Sequence, residues 1–300
     1  MKRALVTGAN GFVGGSLVRK LIERSVEVVA VDISFANTSL PSSSLLTRVE
    51  TGIDENLVEK VPHIHYDAFY HLAWRGVNGM EKSSSHIQLA NIGMALRCAE
   101  ACKKLGCKRL LMAGTVAEQS VQSLPHLQCA SAGMMYGVAK HCCHIMLESY
   151  CKSIGLSLVW MQFSNIYGTG NRTGNLISYT LTEILNGREA SFGPALQPYD
   201  FIYADDLLEA IIRLGEVEQH RDSYFIGSGT PRILRDYLLR IGKLTGREEY
   251  IKIGVRPDDG ICYDFDMFDT AKLRQDIGDF VSHSFDEGVM LTYTWLKDAY

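Results

Sequence analysis

One stretch constrains this chain more than any other. Gly8-Ala9-Asn10-Gly11-Phe12-Val13-Gly14 follows the apolar run Ala4-Leu5-Val6-Thr7 without a gap and leads straight into Val13, Leu17, Val18, Leu21 and Ile22 at helical spacing. A strand that turns into a helix through Gly-x-x-Gly-x-x-Gly opens a βαβ unit. Gly8 allows the tight turn, Gly11 lets backbone approach a pyrophosphate, and Gly14 lets helix and strand pack closely, while the helix N-terminus offers free amides to phosphate charge. Glycines also punctuate ordinary turns, so the second strand matters. Val28-Val29-Ala30-Val31 ends in Asp32, and no Arg or Lys follows within 33–44. An acidic side chain there accepts hydrogen bonds from both adenosine ribose hydroxyls and repels a 2′-phosphate; the plainer alternative is a turn aspartate closing a strand. Together these features predict a site for NAD rather than NADP, formed by Gly8, Asn10, Gly11, Phe12, Val13, Gly14 and Asp32.

The rest of the first half repeats the βα rhythm. Residues 2–7, 27–32, 67–72, 108–113 and 156–163 read as strands, and 12–24, 84–105 and 134–153 as helices. The strands are apolar throughout and lack the alternation of a one-sided sheet, which predicts a doubly wound α/β fold of Rossmann type. After Asn165 the pattern loosens around Gly168, Gly170, Gly174, Gly187, Gly193, Pro194 and Pro198. The expected organisation is a dinucleotide-binding domain over 1–165 and a smaller, mainly substrate-binding lobe over 166–300, some of whose segments return to the first domain. The serine-rich stretch 34–44 reads as a surface loop.

Composition narrows the function classes. Thirty Lys and Arg against 34 Asp and Glu leave a net charge of −4, and the basic residues form no stripe, which argues against nucleic acid. No apolar run is long enough for a bilayer, and Met1-Lys2-Arg3 lacks the apolar stretch of a signal peptide. Eight cysteines (98, 102, 107, 129, 142, 143, 151 and 262) show no disulfide framework, and a cytoplasmic protein is expected. Cys98 and Cys102, or Cys142, Cys143 and His144, raise the question of a metal. No Cys-x-x-Cys pair recurs at zinc-like separation, so they are read as core packing, with no metal.

Tyr136-Gly137-Val138-Ala139-Lys140 places a phenol and an ammonium one turn apart on a helix, where the cation favours the phenolate. The spacing alone is common. In combination with the glycine loop, with His71-Leu72-Ala73, Asn91, Ser164-Asn165-Ile166-Tyr167-Gly168, Asp200-Phe201-Ile202-Tyr203-Ala204-Asp205-Asp206 and Arg256-Pro257-Asp258, the chain resembles the extended short-chain dehydrogenases/reductases, the nucleotide-sugar epimerase/dehydratase family. That resemblance covers nearly the whole length. It implies a third catalytic member at the end of the strand before Tyr136, where Thr115 stands. Thr115 would orient a sugar hydroxyl, Tyr136 would exchange its proton, and Lys140 would hold the nicotinamide ribose and tune Tyr136. The resemblance places Leu72 and Ala73 against the cofactor, assigns His71 to the loop beside the diphosphate as a structural group, and gives Asn165 and Arg256 the substrate diphosphate.

Three departures bear on the reaction. The family's 4,6-dehydratases follow the catalytic Thr with Asp-Glu, whereas Val116 and Ala117 stand here and can exchange no proton. Tyr199 precedes Asp200 where many epimerases carry an arginine, so Arg172, Arg232 or Arg256 must take its place or the substrate is held differently. Gly52-Ile53-Asp54 inverts the usual Gly-Asp-Ile that meets adenine. The expected activity is NAD-dependent epimerisation of a nucleotide sugar through hydride abstraction and return at carbon 4. The alternatives are a 4-ketoreductase of a nucleotide-deoxysugar and a non-catalytic dinucleotide-binding module. Ile87, Leu89, Ile92, Ala95, Leu96, Val138, Cys142, Ile145 and Met146 give the two long helices apolar residues on more than one face, and the family pairs these helices across a homodimer.

Overall fold

The structure is a computed structural model that describes residues 1–127, 131, 133–171, 174–258, 260–261 and 263–298. Arg172, Cys129 and Cys262 therefore lie outside the described residues. The chain divides into two compact units. The first comprises Met1–Val121, Ala132–Gln162 and Leu208–Tyr224; the second comprises Gln122–Ser131, Phe163–Leu207 and Phe225–Tyr300.

The first unit is built on a seven-stranded sheet whose strands are β1 (Arg3–Thr7), β2 (Glu27–Asp32), β3 (Leu46–Glu50), β4 (Ala68–His71), β5 (Leu110–Thr115), β6 (Leu158–Phe163) and β11 (Ser223–Ile226). Their order is β11-β6-β5-β4-β1-β2-β3. β1 pairs in parallel with β2 and β4, β2 with β3, and β4 with β5. Amide bonds from Trp160 to the Asp222 carbonyl and from Ser164 to that of Ile226 step in the same direction, so β11 also runs parallel to β6. Strand order reverses between β1 and β4, which opens a crevice at the carboxyl ends of the strands. Thr7, Asp32, His71 and Thr115 all stand at those ends.

Helices cover both faces, as uninterrupted apolar strands require. They are α1 (Phe12–Glu23), the single turn α2 (Leu57–Lys60), α3 (Ser85–Lys104) and α4 (Met134–Ile154). Leu5, Phe69, Leu110 and Trp160 pack with Ile92, Ala95, Cys98 and Cys102 of α3 and Cys143, Leu147 and Cys151 of α4 in one cluster. On the other face the Tyr70 hydroxyl lies 3.5 Å from the Ile211 carbonyl and Arg109 Nη1 donates to that of Leu214 at 2.8 Å. Both carbonyls belong to α6 (Ala204–Glu216). Cys98, Cys102, Cys107, Cys143 and Cys151 are buried free thiols, and burial pushes Cys98 and Cys102 well above the usual thiol range. Stretch 34–44 carries no helix or strand. No helix among the described residues is long and apolar enough to cross a membrane.

The second unit has shorter elements: β7 (Asn165–Tyr167), α5 (Leu176–Leu185), β8 (Ala190–Ser191), β9 (Pro198–Tyr199), β10 (Phe201–Tyr203), β12 (Arg232–Ile233), α7 (Leu234–Thr245), β13 (Ile251–Lys252), α8 (Ala271–Ile277) and α9 (Phe285–Asp298). Three two-stranded pairings, β7 with β10, β9 with β12 and β8 with β13, stitch them together. Their core gathers Ile177, Leu181, Phe201, Tyr237, Leu238 and Val289.

Candidate active site

The glycine turn has the geometry its spacing demands. Gly8 holds φ +71°, and its backbone runs so close to Leu72 and Ala73 that a Cβ would stand 2.6 Å from the Ala73 nitrogen. At Gly14 a Cβ would meet the Gly8 carbonyl oxygen at 2.0 Å, so α1 can approach β1 only with glycine there. Gly11 precedes α1 and no side chain caps the helix, which leaves the first-turn amides of Phe12 and Val13 directed outward. The Asp32 carboxylate accepts the Asn10 amide N–H at 2.9 Å through Oδ2 and the Ile33 amide N–H at 2.8 Å through Oδ1, while Asn10 Nδ2 donates to the Ser34 carbonyl at 3.0 Å. Asp32 thus pins the glycine loop and still has a lone pair on each oxygen for a diol. A close backbone cradle, uncapped amides and an acid beside them fit a dinucleotide. Asp54 is engaged elsewhere, pairing with Lys60 at 2.9 Å and accepting the Asn56 amide, and these hold its carboxyl below the usual range.

β5 delivers Thr115 and the first turn of α4 delivers Tyr136 and Lys140. The Thr115 side chain faces the Tyr136 phenol closely enough to favour its ionisation. Burial pushes the phenol up to about 12; the Thr115 side chain opposes that rise and the Glu118 charge adds to it. Gly137 permits this meeting, because a Cβ there would stand 2.3 Å from the Ala117 carbonyl oxygen. Lys140 is buried, with Nζ donating to the Ala113 carbonyl at 2.5 Å and lying 3.7 Å from the centroid of the Trp74 ring. Burial lowers its ammonium to about 8, against the pull of Cys143 and Glu118. Trp74 meets Tyr136 edge-on at 6.3 Å, and Lys82 Nζ stands 5.4 Å from the Tyr136 ring centroid. His71 is 2% exposed, with Nδ1 2.7 Å from Thr7 Oγ1 and 3.3 Å from Cys98 Sγ. Burial, then the Lys140 charge, press it down to about 3, so the imidazole is neutral and poorly suited to take a proton.

In the second unit Asn165 opens β7 and its Nδ2 donates to the Asp200 carbonyl at 3.0 Å. The buried Asp200 carboxylate accepts from the Ser228 amide at 2.9 Å and from the Ser228 hydroxyl. Arg256 donates from Nη2 to the Tyr179 hydroxyl at 3.0 Å. Both line a cavity of about 490 Å³ with Phe192, Tyr199 and Tyr263. Arg232 lines another, of about 370 Å³, with Arg274 and His283. Of Arg232 and Arg256, the two suggested cations that lie among the described residues, Arg256 is thus the one that shares a cavity with Tyr199.

Sequence reasoning passed over Trp74, which stacks on Lys140, and Glu118. Thr115 Oγ1 accepts the Ala117 amide at 3.2 Å while Glu118 Oε1 accepts the Thr115 amide at 2.7 Å. That is a capping box opening the 3₁₀ helix Val116–His126, and Thr-x-x-Glu is its legible signal. Among the described residues no three His, Cys, Asp or Glu side chains gather as a metal site.

Comparison with known proteins adds four findings. Residues 4–227 match the profile of the NAD dependent epimerase/dehydratase family. A dTDP-4-dehydro-6-deoxyglucose reductase of Escherichia coli is 26% identical over 251 residues, 75% of this chain and 76% of that protein. Among solved structures, the NAD dependent NDP-hexosamine 5,6-dehydratase TunA superposes with TM-score 0.80 at 22% identity over 99% of this chain and 98% of its own. The UDP-glucuronic acid 4-epimerase of Bacillus cereus, in complex with NAD, does so with TM-score 0.78 at 20% identity over 99% of each. At such identities the structural likeness establishes the fold alone.

Proposed function

The chain belongs to the NAD dependent epimerase/dehydratase family, and we propose that within it the protein is an NAD-dependent epimerase of a nucleotide-activated sugar, acting at carbon 4. The observation that carries this reading is that β5 and the start of α4 set Thr115 against Tyr136, with Lys140 one turn along, on the same unit as the glycine cradle. Gly8, Gly11, Gly14, Asn10, Phe12, Val13, Leu72 and Ala73 would hold NAD, with Asp32 on its adenosine ribose. When bound, NAD accepts hydride from a sugar carbon and can return it to the opposite face. Thr115 orients the sugar hydroxyl and Tyr136 takes, then returns, its proton. Lys140 has three N–H donors and gives one to Ala113, leaving others for the nicotinamide ribose. The second unit is assigned the nucleotide sugar, with Arg256 and Asn165 on its diphosphate and Tyr179, Phe192 and Tyr199 offering aromatic walls.

A 4,6-dehydratase of the Thr-Asp-Glu type is disfavoured. Val116 and Ala117 carry no acid or base, and the Glu118 carboxylate accepts from protein donors through both oxygens. One second reading has a specific observation behind it: the Escherichia coli relative named as a dTDP-4-dehydro-6-deoxyglucose reductase supports a 4-ketoreductase that uses the same triad once. Two copies are proposed to pair through α3 and α4, where Leu89 is 67%, Ile145 56% and Met146 47% exposed beside Cys142. Ile92 and Ala95, counted with them among the apolar residues of these helices, are buried in the core.

Incubation with a panel of nucleotide sugars, following both the reduced-nicotinamide absorbance and the product sugars, tests the assignment. Epimerised sugar without net absorbance change supports it, and the Tyr136→Phe variant should then bind NAD normally and turn over almost nothing. Stoichiometric oxidation of added NADH by a 4-keto sugar would transfer the assignment to the reductase. Cofactor binding with neither reaction would leave a non-catalytic module.

A further inference from the structure

Behind the Thr115 and Tyr136 pair lies a carboxylate that this scheme leaves unused. Glu118 is 2% exposed. Besides the Thr115 amide, its Oε1 accepts the Trp160 indole N–H at 3.1 Å; its Oε2 accepts the same N–H at 3.1 Å and Gln162 Nε2 at 3.0 Å. His144 Nδ1 stands 3.4 Å from Oε2, and the His144 ring lies flat against Trp160, centroids 4.5 Å apart and planes 4° from parallel. A capping box needs only a glutamate that reaches back one turn, and a solvated one suffices. Here β6 and α4 supply an indole, an amide and an imidazole to a carboxylate withdrawn from water, where an unpartnered charge would cost several kcal/mol. The provision exceeds what one short helix requires.

Its geometric effect falls on Thr115. With the Thr115 amide fixed by Glu118 and a Thr115 Oγ1 lone pair fixed by the Ala117 amide, the hydroxyl proton is left for the Tyr136 oxygen. We propose that Glu118 is a positioning residue of the proton-transfer pair: it acts through Thr115 to hold that hydroxyl against Tyr136, and its negative charge sets how readily Tyr136 gives up its proton. The inference rests on Tyr136 being the acid–base group of the proposed reaction. Among the described residues, the groups set against Tyr136 are Thr115 at the end of β5, Glu118, Lys82 of the 3₁₀ turn Met80–Ser83 and the edge of Trp74, with Lys140 one turn along its own helix. Glu118 opposes the phenolate, so neutralising it releases the proton at lower pH.

The test uses the NAD-bound protein labelled with ¹³Cζ-tyrosine, in which the Tyr136 resonance is the one that Tyr136→Phe removes. From about pH 7 to about pH 11, the onset of Tyr136 ionisation should come at least about half a pH unit earlier in Glu118→Gln. The Glu118→Gln/Gln162→Glu double variant, which returns a carboxylate to the cluster and guards against poor folding of the single variant, should draw the onset back. On any nucleotide sugar that is turned over, Glu118→Gln should lower kcat about tenfold or more, with NAD affinity within about twofold. An onset that does not move, or wild-type kcat in Glu118→Gln, would overturn the proposal. An earlier onset in a protein that turns over no nucleotide sugar would sustain the Glu118 role while refuting the reaction proposed above.

Discussion

A methyl group at position 14 should separate the cofactor half of this site from its proton-transfer half. In Gly14→Ala the new Cβ would stand 2.0 Å from the Gly8 carbonyl oxygen, whereas carbon and oxygen settle at about 3.3 Å or more. The start of α1 must therefore withdraw from the end of β1 by about 1 Å, and the uncapped amides of Phe12 and Val13 move with it. A hydrogen bond to a charged acceptor contributes about 1.5–3 kcal/mol, so the loss of one or two raises the NAD Kd about tenfold or more. Overpacking adds a destabilisation of about 1–3 kcal/mol, or several degrees in Tm. Calorimetric titration with NAD and thermal melts with and without it measure both quantities. Gly137→Ala is the matched control, with its Cβ 2.3 Å from the Ala117 carbonyl oxygen and its strain placed beside Tyr136. It should lose comparable stability, bind NAD within about threefold of wild type, and turn over about 100-fold more slowly, because the phenol is displaced from Thr115. Gly14→Ala binding NAD as wild type does, or both variants losing the same function, would refute the reasoning.

Three further outcomes are expected. Asp32→Ala removes the acceptor of the Asn10 and Ile33 amides as well as the ribose partner, so the preference for NAD over NADP should fall at least about tenfold in competitive titration; an unchanged ratio would mean that Asp32 does not meet the ribose. Lys140→Met should abolish turnover yet raise Tm near pH 7, since burial lowers the ammonium from 10.5 to about 8 and its charge opposes folding by up to about 3 kcal/mol. Between those two pH values the unfolded chain binds the proton that the native state has released, so wild-type stability gains with rising pH. The advantage of Lys140→Met should thus be greatest below about pH 8 and shrink above it, and an advantage that widened with pH would be the wrong sign. In light scattering the wild type should be a dimer and Leu89→Glu/Ile145→Glu a monomer; a monomeric wild type ends the pairing proposal.

What was legible in the sequence was what depends on short-range pattern. The glycine loop, Asp32, and Tyr136 with Lys140 could be singled out because each task proposed for them requires particular residues at fixed offsets along one strand or helix. The helix read over 134–153 appears as Met134–Ile154, and the strand read over 27–32 appears as Glu27–Asp32. β3 was missed because an edge strand whose five residues are all at least partly exposed carries no apolar run to announce it. The second unit was hard to read for a related reason: β8, β9, β12 and β13 have two residues each, too few to establish any period.

Glu118 shows where such reading stops. The Thr115-x-x-Glu118 box is local, and a careful count would find it. Nothing in residues 115–118 reveals that Trp160 and Gln162, more than 40 positions later, and His144 on a helix between, converge on its carboxylate. Two tryptophans make the point together. Trp74 carries the Lys140 ammonium on its face and Trp160 gives its indole N–H to Glu118, yet both would pass in the sequence for ordinary core aromatics. Their contribution is electrostatic and depends on which charge tertiary packing sets against them. The chemistry proposed for the triad is thus written locally, but the charge balance around Tyr136 is set by contacts that only the folded sheet brings about.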